Sequence, residues 1–137
     1  MCEAPYPSHV VRLESSVFGP SAQVICVPVA RIARLLEGRG ERALRRLLSP
    51  GERQDCASLG KTAQRCASRV AAKLAVRAGL PAVRRLRWCE IEVRRLESGA
   101  PVLRAYDPET RAWEPLAVEL SMSHTEKWAA AFVIGAA

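Results

Sequence analysis

The chain contains no apolar run approaching the roughly 20 residues that cross a bilayer, which argues against a membrane span. No basic segment leads into an apolar stretch near its start, so a secretory leader is not expected and a cytoplasmic location is. There is no C-x-x-C pair among Cys2, Cys26, Cys56, Cys66 and Cys89, and their number is odd. Both features read as reduced, packing thiols in a reducing compartment rather than as a disulfide framework. Aromatic residues make up only 5% of the chain, and no basic run is interleaved with them. With no zinc spacing and no RNA-binding signature either, nucleic-acid binding is a weak competitor. Lysine is scarce, confined to Lys61, Lys73 and Lys127. Internal repeats and low-complexity tracts are lacking as well.

The positive charge is therefore arginine's, and a net +7 suits an anionic partner: a nucleic acid, a phosphate-bearing small molecule or an acidic protein. A length of 137 residues with a 49% hydrophobic fraction suffices for one domain with its own core. Residues 1–22, with Pro5, Pro7, Gly19 and Pro20, read as an extended lead-in, in which Val10-Val11-Arg12-Leu13 can pair as an edge strand. Residues 23–137 read as the folded domain. Val24-Ile25-Cys26-Val27 predicts a buried strand over 23–29. Val29, Ile32, Leu35 and Leu36 recur at helical spacing, Gly38 and Gly40 interrupt, and Ala43, Leu44, Leu47 and Leu48 resume the apolar face.

Ser49-Pro50-Gly51-Glu52 has the pattern of a helix start, with Ser49 as N-cap and Glu52 closing a capping box. The longest helix is predicted over 62–78, with Cys66, Arg69, Val70 and Lys73 near one another on one side, stopped by Gly79 and Pro81. Alternation of Cys89, Ile91 and Val93 with Glu90, Glu92 and Arg94 predicts a strand over 88–96, returning after Ser98-Gly99-Ala100-Pro101 as a hairpin over 102–106. Asp107-Pro108-Glu109-Thr110 is expected to start a short helix, and 116–122 and 128–134 to be strands around a Ser123-His124 turn. Strands mixed with helix pairs and closed by C-terminal strands indicate an α+β fold.

Several segments follow one another in a telling order. They are Ala30-Arg31-Ile32-Ala33-Arg34-Leu35-Leu36, Leu48-Ser49-Pro50-Gly51-Glu52-Arg53 with Cys56, and Ser68-Arg69-Val70-Ala71-Ala72-Lys73. Trp88-Cys89-Glu90-Ile91-Glu92-Val93, Gly99-Ala100-Pro101 and Ser121-Met122-Ser123-His124-Thr125 complete the series. Together they resemble the holo-acyl-carrier-protein synthase branch of the 4′-phosphopantetheinyl transferases. The resemblance covers residues 23–134 and implies that family's fold, mixed helices packed on a small antiparallel sheet. It also implies its activity, Mg²⁺-dependent transfer of phosphopantetheine from coenzyme A to a carrier-protein serine. A homotrimer with coenzyme A in clefts between subunits is implied too.

Three positions depart from the family pattern. Ile25 stands where the resemblance implies a metal-binding Asp, Leu74 where it implies a metal-binding Glu, and Ala78 where it implies a further lysine. Mg²⁺ demands oxygen ligands, and hydrocarbon supplies none, so Mg²⁺ is not expected here. Moving the register by one residue does not restore the site, because Val24, Cys26 and Ala75 are not carboxylates either.

The remaining site residues are assigned by the resemblance and by their chemistry. His124, Lys73 and Glu52 are the candidate catalytic groups. Arg69, Lys73, Ser121, Ser123 and His124 are candidates for binding phosphate or coenzyme A, and Arg31 and Arg34 for binding an acidic carrier protein. Each has a plainer alternative. His124, Ser121 and Ser123 can serve the turn's backbone, Arg69 and Lys73 can be a solvated stripe, and Glu52 can be a helix cap. Glu90 and Glu92, sharing a strand face, are weaker metal candidates.

The reading that follows is a divergent relative that recognises an acyl carrier protein or its acyl-phosphopantetheine arm. Its Mg²⁺-dependent transfer is lost or weak and replaced by a metal-free step, such as dehydration or cyclisation in polyketide or fatty-acyl biosynthesis. The alternatives are an active phosphopantetheinyl transferase and a non-catalytic carrier-binding scaffold.

Overall fold

The computed structural model of the protein describes residues 11–14, 22–58 and 62–135. The chain runs β1 (Val11–Glu14), β2 (Ala22–Pro28), α1 (Val29–Arg39), α2 (Glu41–Leu47), α3 (Pro50–Ser58) and α4 (Thr62–Gly79). Two short 3₁₀ turns, Pro81–Arg85 and Trp88–Glu90, lead into β3 (Ile91–Arg95), β4 (Pro101–Asp107), β5 (Ala112–Pro115), β6 (Val118–His124) and β7 (Trp128–Gly135). The strands form two antiparallel sheets, β1-β2-β7-β6 and β3-β4-β5. The α+β class is as expected, with two small sheets where one was envisaged. The edge strand foreseen in the lead-in is β1, paired antiparallel with β2. Val10 and the rest of the lead-in up to residue 21 lie outside the described residues.

The core forms where α4 crosses the four-stranded sheet. Because successive strand residues face opposite sides, Ile25 and Val27 of β2 and Ala129, Ala131 and Val133 of β7 turn inward and are buried. On α4, Ala67, Val70, Ala71, Ala72, Ala75 and Val76 meet them. Small residues on both surfaces let the helix lie close to the sheet, which is how a short chain encloses a continuous core.

Local chemistry sets the joints. Of the two glycines expected to interrupt the first helix, Gly38 lies within α1 and Gly40 makes the break. Gly40 has φ of 50° and ψ of −122°, a conformation that strains any residue with a Cβ. Its N–H closes α1 on the Leu36 carbonyl at 2.7 Å. The capping box forms as read: Glu52 N–H donates to Ser49 Oγ at 3.1 Å, and Ser49 N–H donates to Glu52 Oε1 at 2.9 Å.

Three other expectations are corrected. The strand predicted from residue 88 begins at Ile91, because Trp88–Glu90 form a 3₁₀ turn in which Glu90 Oε1 accepts the Arg87 N–H at 2.9 Å. Glu90 and Glu92 therefore do not share a strand face. Residues 107–110 do not start a helix: Asp107 Oδ1 accepts the Glu109 N–H at 2.9 Å and folds the segment into the β4–β5 turn. β5, unforeseen, follows that turn, and Trp113 packs edge-on against Tyr106 with ring centroids 5.5 Å apart.

Gly40→Ala should lower the unfolding free energy by about 1–2 kcal/mol, since a Cβ must enter a disfavoured backbone region. Gly38→Ala, with open space around the added methyl, should be neutral or raise it by up to about 1 kcal/mol. Urea denaturation of the two variants checks the contrast, and equal effects would remove Gly40 as the joint.

Candidate functional site

Lys73 projects from the middle of α4 into the interior, with its side chain 0% exposed. An ammonium has three donors, and each finds an acceptor: Glu52 Oε1 at 2.5 Å, the Leu47 carbonyl at 2.6 Å and the Trp88 carbonyl at 2.9 Å. The solvated stripe that was the plainer alternative for Lys73 is corrected by this geometry. Burial pulls the Lys73 pKa below its ordinary value, and the carboxylate of Glu52 opposes that pull.

Glu52 is equally enclosed. Besides Lys73 and the Ser49 N–H, it accepts the Val93 N–H through Oε2 at 2.9 Å. Ser49 carries the network onward, its Oγ donating to Glu92 Oε2 at 2.7 Å. The other oxygen of the buried Glu92 accepts from the Arg104 guanidinium. Sequence reasoning missed Ser49 as a bridge and Arg104 as a partner, because the pairing of β3 with β4 is what sets Arg104 opposite Glu92. Asp55 and Arg94 approach at 3.4 Å beside this chain. A Cβ added at Gly51 would lie 2.0 Å from an Arg94 guanidinium nitrogen, so the flexible end of Arg94 would have to move aside.

Arg69 lies one turn before Lys73, also buried at 5% exposure. One guanidinium nitrogen donates to the Arg65 carbonyl at 3.2 Å, and Nε has no partner among the described residues. The structure thus brings Arg69 and Lys73 to the interior side of α4, and of the two it is Arg69 that keeps a donor without a partner among the described residues. Arg77, not singled out in the sequence, lies over the Trp88 ring at 5.3 Å and donates to the Leu86 carbonyl at 3.0 Å.

Ser121, Ser123 and His124 are exposed on β6. The turn expected at Ser123-His124 lies after it, where Thr125 Oγ1 accepts the Lys127 and Trp128 N–H groups at 3.2 and 3.1 Å. Thr125 therefore does the backbone work that was the plainer alternative for the serines and the histidine. The register sets Ser121 and Ser123 opposite Phe132 and Ala130 on the outer sheet face, and His124 opposite the buried Ala129 on the inner one. Arg31 is half-buried and Arg34 exposed on α1, with Arg42, Arg45 and Arg46 exposed on α2.

The implied metal site fails the test of its donors. Ile25 is 2% exposed and part of the core. Leu74 is half-buried and packs against the same core. Among the described residues, no three His, Cys, Asp or Glu side chains come together as a metal cluster. Among the described cysteines, Cys26, Cys56, Cys66 and Cys89 are free thiols. Burial raises the Cys56 pKa and pushes that of Cys66 up to about 12, so both are protonated and weak nucleophiles at neutral pH.

Removing the lysine from its pair should be costly: Lys73→Met leaves the Glu52 carboxylate buried without its cation and should cost about 3–5 kcal/mol. Adding Glu52→Gln should cost less than the two single losses combined, with a coupling of at least about 1 kcal/mol by chemical denaturation. Strict additivity would dissolve the pair as an energetic unit. Alkylation of the native protein at neutral pH, read by peptide mass mapping, should spare Cys56 and Cys66 until denaturant is added.

No protein-family profile matches the chain. It is 32% identical over 123 residues to a holo-[acyl-carrier-protein] synthase of Koribacter versatilis, a match covering 86% of this chain and 97% of the relative. Among solved structures it is similar to the holo-[acyl-carrier-protein] synthase of Neisseria meningitidis, with a TM-score of 0.68 and 27% identity over 86% of this chain and 98% of the other. It is similar as well to the Bacillus anthracis holo-(acyl-carrier-protein) synthase in complex with CoA (3′,5′-ADP), with a TM-score of 0.67, 25% identity and coverage of 82% and 92%.

Proposed function

Since this chain belongs to the holo-acyl-carrier-protein synthase family, we propose that it binds coenzyme A and an acyl carrier protein and moves the phosphopantetheine arm from one to the other. The single observation that carries this reading is a 32% identical synthase aligned over nearly its whole length. In the transfer, a carrier serine hydroxyl forms the new P–O bond and gives up its proton. The diphosphate P–O bond breaks, and adenosine 3′,5′-bisphosphate leaves.

In this reading the chain's own residues divide the work. Arg31 and Arg34, with the exposed arginines of α2, offer a positive surface to an acidic carrier protein. Arg69, whose buried Nε has no partner among the described residues, supplies the guanidinium charge that a phosphate pairs with. His124, exposed at the end of β6, contacts phosphate or takes the serine proton. Ser121 and Ser123, on the opposite sheet face, serve a different part of the ligand or a neighbouring subunit. Lys73 and Glu52 act as positioning residues, holding α4 against α3 and β3 from within.

The outer face of the four-stranded sheet carries Phe132, Ile134 (40% exposed) and Trp128 (45% exposed) beside Val24 and Cys26. Covering that apolar face is the support for a homotrimer. In this reading the protein serves fatty-acyl or polyketide biosynthesis and works in the cytoplasm.

A second reading is favoured by one specific observation, the hydrocarbon at Ile25 and Leu74. In it the chain keeps carrier and coenzyme A recognition, transfer is weak, and a metal-free step on the carrier-bound chain takes its place.

Intact-mass spectrometry of an apo carrier protein incubated with this protein and coenzyme A, with Mg²⁺ and with chelator, separates the two. A phosphopantetheine mass gain supports the transferase. No gain at stoichiometric protein, with binding intact, supports the second reading. Arg31→Glu with Arg34→Glu should weaken carrier binding at least about tenfold by reversing the local field, and unchanged affinity would place docking elsewhere.

A further inference from the structure

The four-stranded sheet and α4 face each other across hydrocarbon where the family would present two carboxylates. Ile25 sits on the inward side of β2, register-paired with Arg12 of β1 and Ala131 of β7, and is sealed into the core. Its chain neighbours, Val24 and Cys26, face the other side of the sheet. On α4, Leu74 packs against the same core between Lys73, already bonded three times, and Ala75.

Carboxylates elsewhere in the region are engaged. Glu52 accepts from Lys73, Ser49 and Val93, and Glu92 from Ser49 and Arg104. Asp55 lies beside Arg94, and Glu90 caps the Arg87 N–H. To ligate a cation, Glu52 would have to abandon a buried ammonium, which carries the penalty of an uncompensated interior charge. A hydrated Mg²⁺ gains nothing by displacing its water against Ile25 and Leu74, because it accepts only oxygen ligands in a near-octahedral shell. What the chain does supply for a diphosphate is positive charge, with Arg69 buried and one of its donors without a partner among the described residues.

We propose that this chain binds the diphosphate of coenzyme A without a divalent cation held by protein oxygens, its β2–α4 site having become hydrocarbon at Ile25 and Leu74. The proposal rests on the coenzyme A-binding reading above and deepens it. Diphosphate charge is offset by guanidinium groups, and any Mg²⁺ present travels with the coenzyme A in solution rather than being recruited by the protein. Affinity for coenzyme A is then set by arginine and by ionic strength, not by the free Mg²⁺ concentration.

Isothermal titration of the full chain with coenzyme A, in chelator and in millimolar MgCl₂ at matched ionic strength, tests it. The expected Kd ratio is within about twofold, below the tenfold step that 1.4 kcal/mol of metal coordination would produce. Paramagnetic resonance of Mn²⁺ should show no more bound ion with protein plus coenzyme A than with coenzyme A alone. Ile25→Asp with Leu74→Glu should confer both a Mg²⁺-dependent Kd and extra bound Mn²⁺. If that variant does not fold, the wild-type comparison alone decides. A wild-type Kd tightened tenfold or more by Mg²⁺, or Mn²⁺ held beyond the coenzyme A control, overturns the proposal while leaving the coenzyme A reading intact. No coenzyme A binding in either buffer overturns that reading and the proposal together.

Discussion

One buried charge organises this protein. The ammonium of Lys73 gathers the last carbonyl of α2, the carboxylate that caps α3 and the carbonyl of Trp88 just before β3. Those groups come from separate parts of the chain, and nothing apolar would hold them to one point. An ion pair taken out of water is a poor source of net stability, because desolvation offsets the attraction. In the observed arrangement of α2, α3 and the β3 lead-in, all three donors of the ammonium are satisfied at once. The network continues through Ser49 and Glu92 to Arg104, so the orientation of the three-stranded sheet relative to α4 depends on it as well.

The same economy of carboxylates shapes the functional site. The buried acids Glu52 and Glu92 are paired with Lys73 and Arg104, while exposed arginines on α1 and α2 face outward. The β2–α4 contact has no acid at all, and Ile25 joins the core without disturbing the strand pairing on either side. The scaffold therefore does not depend on the chemistry of its site, which is why family membership and donor set can part company in one chain.

Much of the fold was legible from local signals. The capping box at Ser49-Pro50-Gly51-Glu52 needs only neighbours in sequence, and it forms atom for atom. The long α4 and the strands β2 and β7 carry periodic apolar residues, and their positions follow from that pattern. Signals weakened where chain-local chemistry offered rivals. Asp107-Pro108 starts helices and turns alike, and the Asp107 side chain bonding two residues ahead decided for the turn. Trp88-Cys89-Glu90 continued an alternating run, but Glu90 bonded back to the Arg87 N–H and wound the segment into 3₁₀ form. At the site, residue types were visible and their partners were not. Arg69 and Lys73 look equivalent by spacing, yet one has every donor satisfied and the other does not.

The sequence by itself determined the α+β class, the start of α3 and the end of α4, the arginine-borne charge, the family and the missing carboxylates at Ile25 and Leu74. These depend on residue identity, periodicity and near neighbours, all of which are written along the chain. Tertiary structure alone decided that Lys73 and Glu52 face each other in the interior. It also put Ser123 and His124 on opposite sheet faces, and closed Arg104 onto Glu92. Each of those outcomes depends on which distant segment packs alongside and on whether water is excluded there, and burial is a property of the assembled chain rather than of any stretch of it.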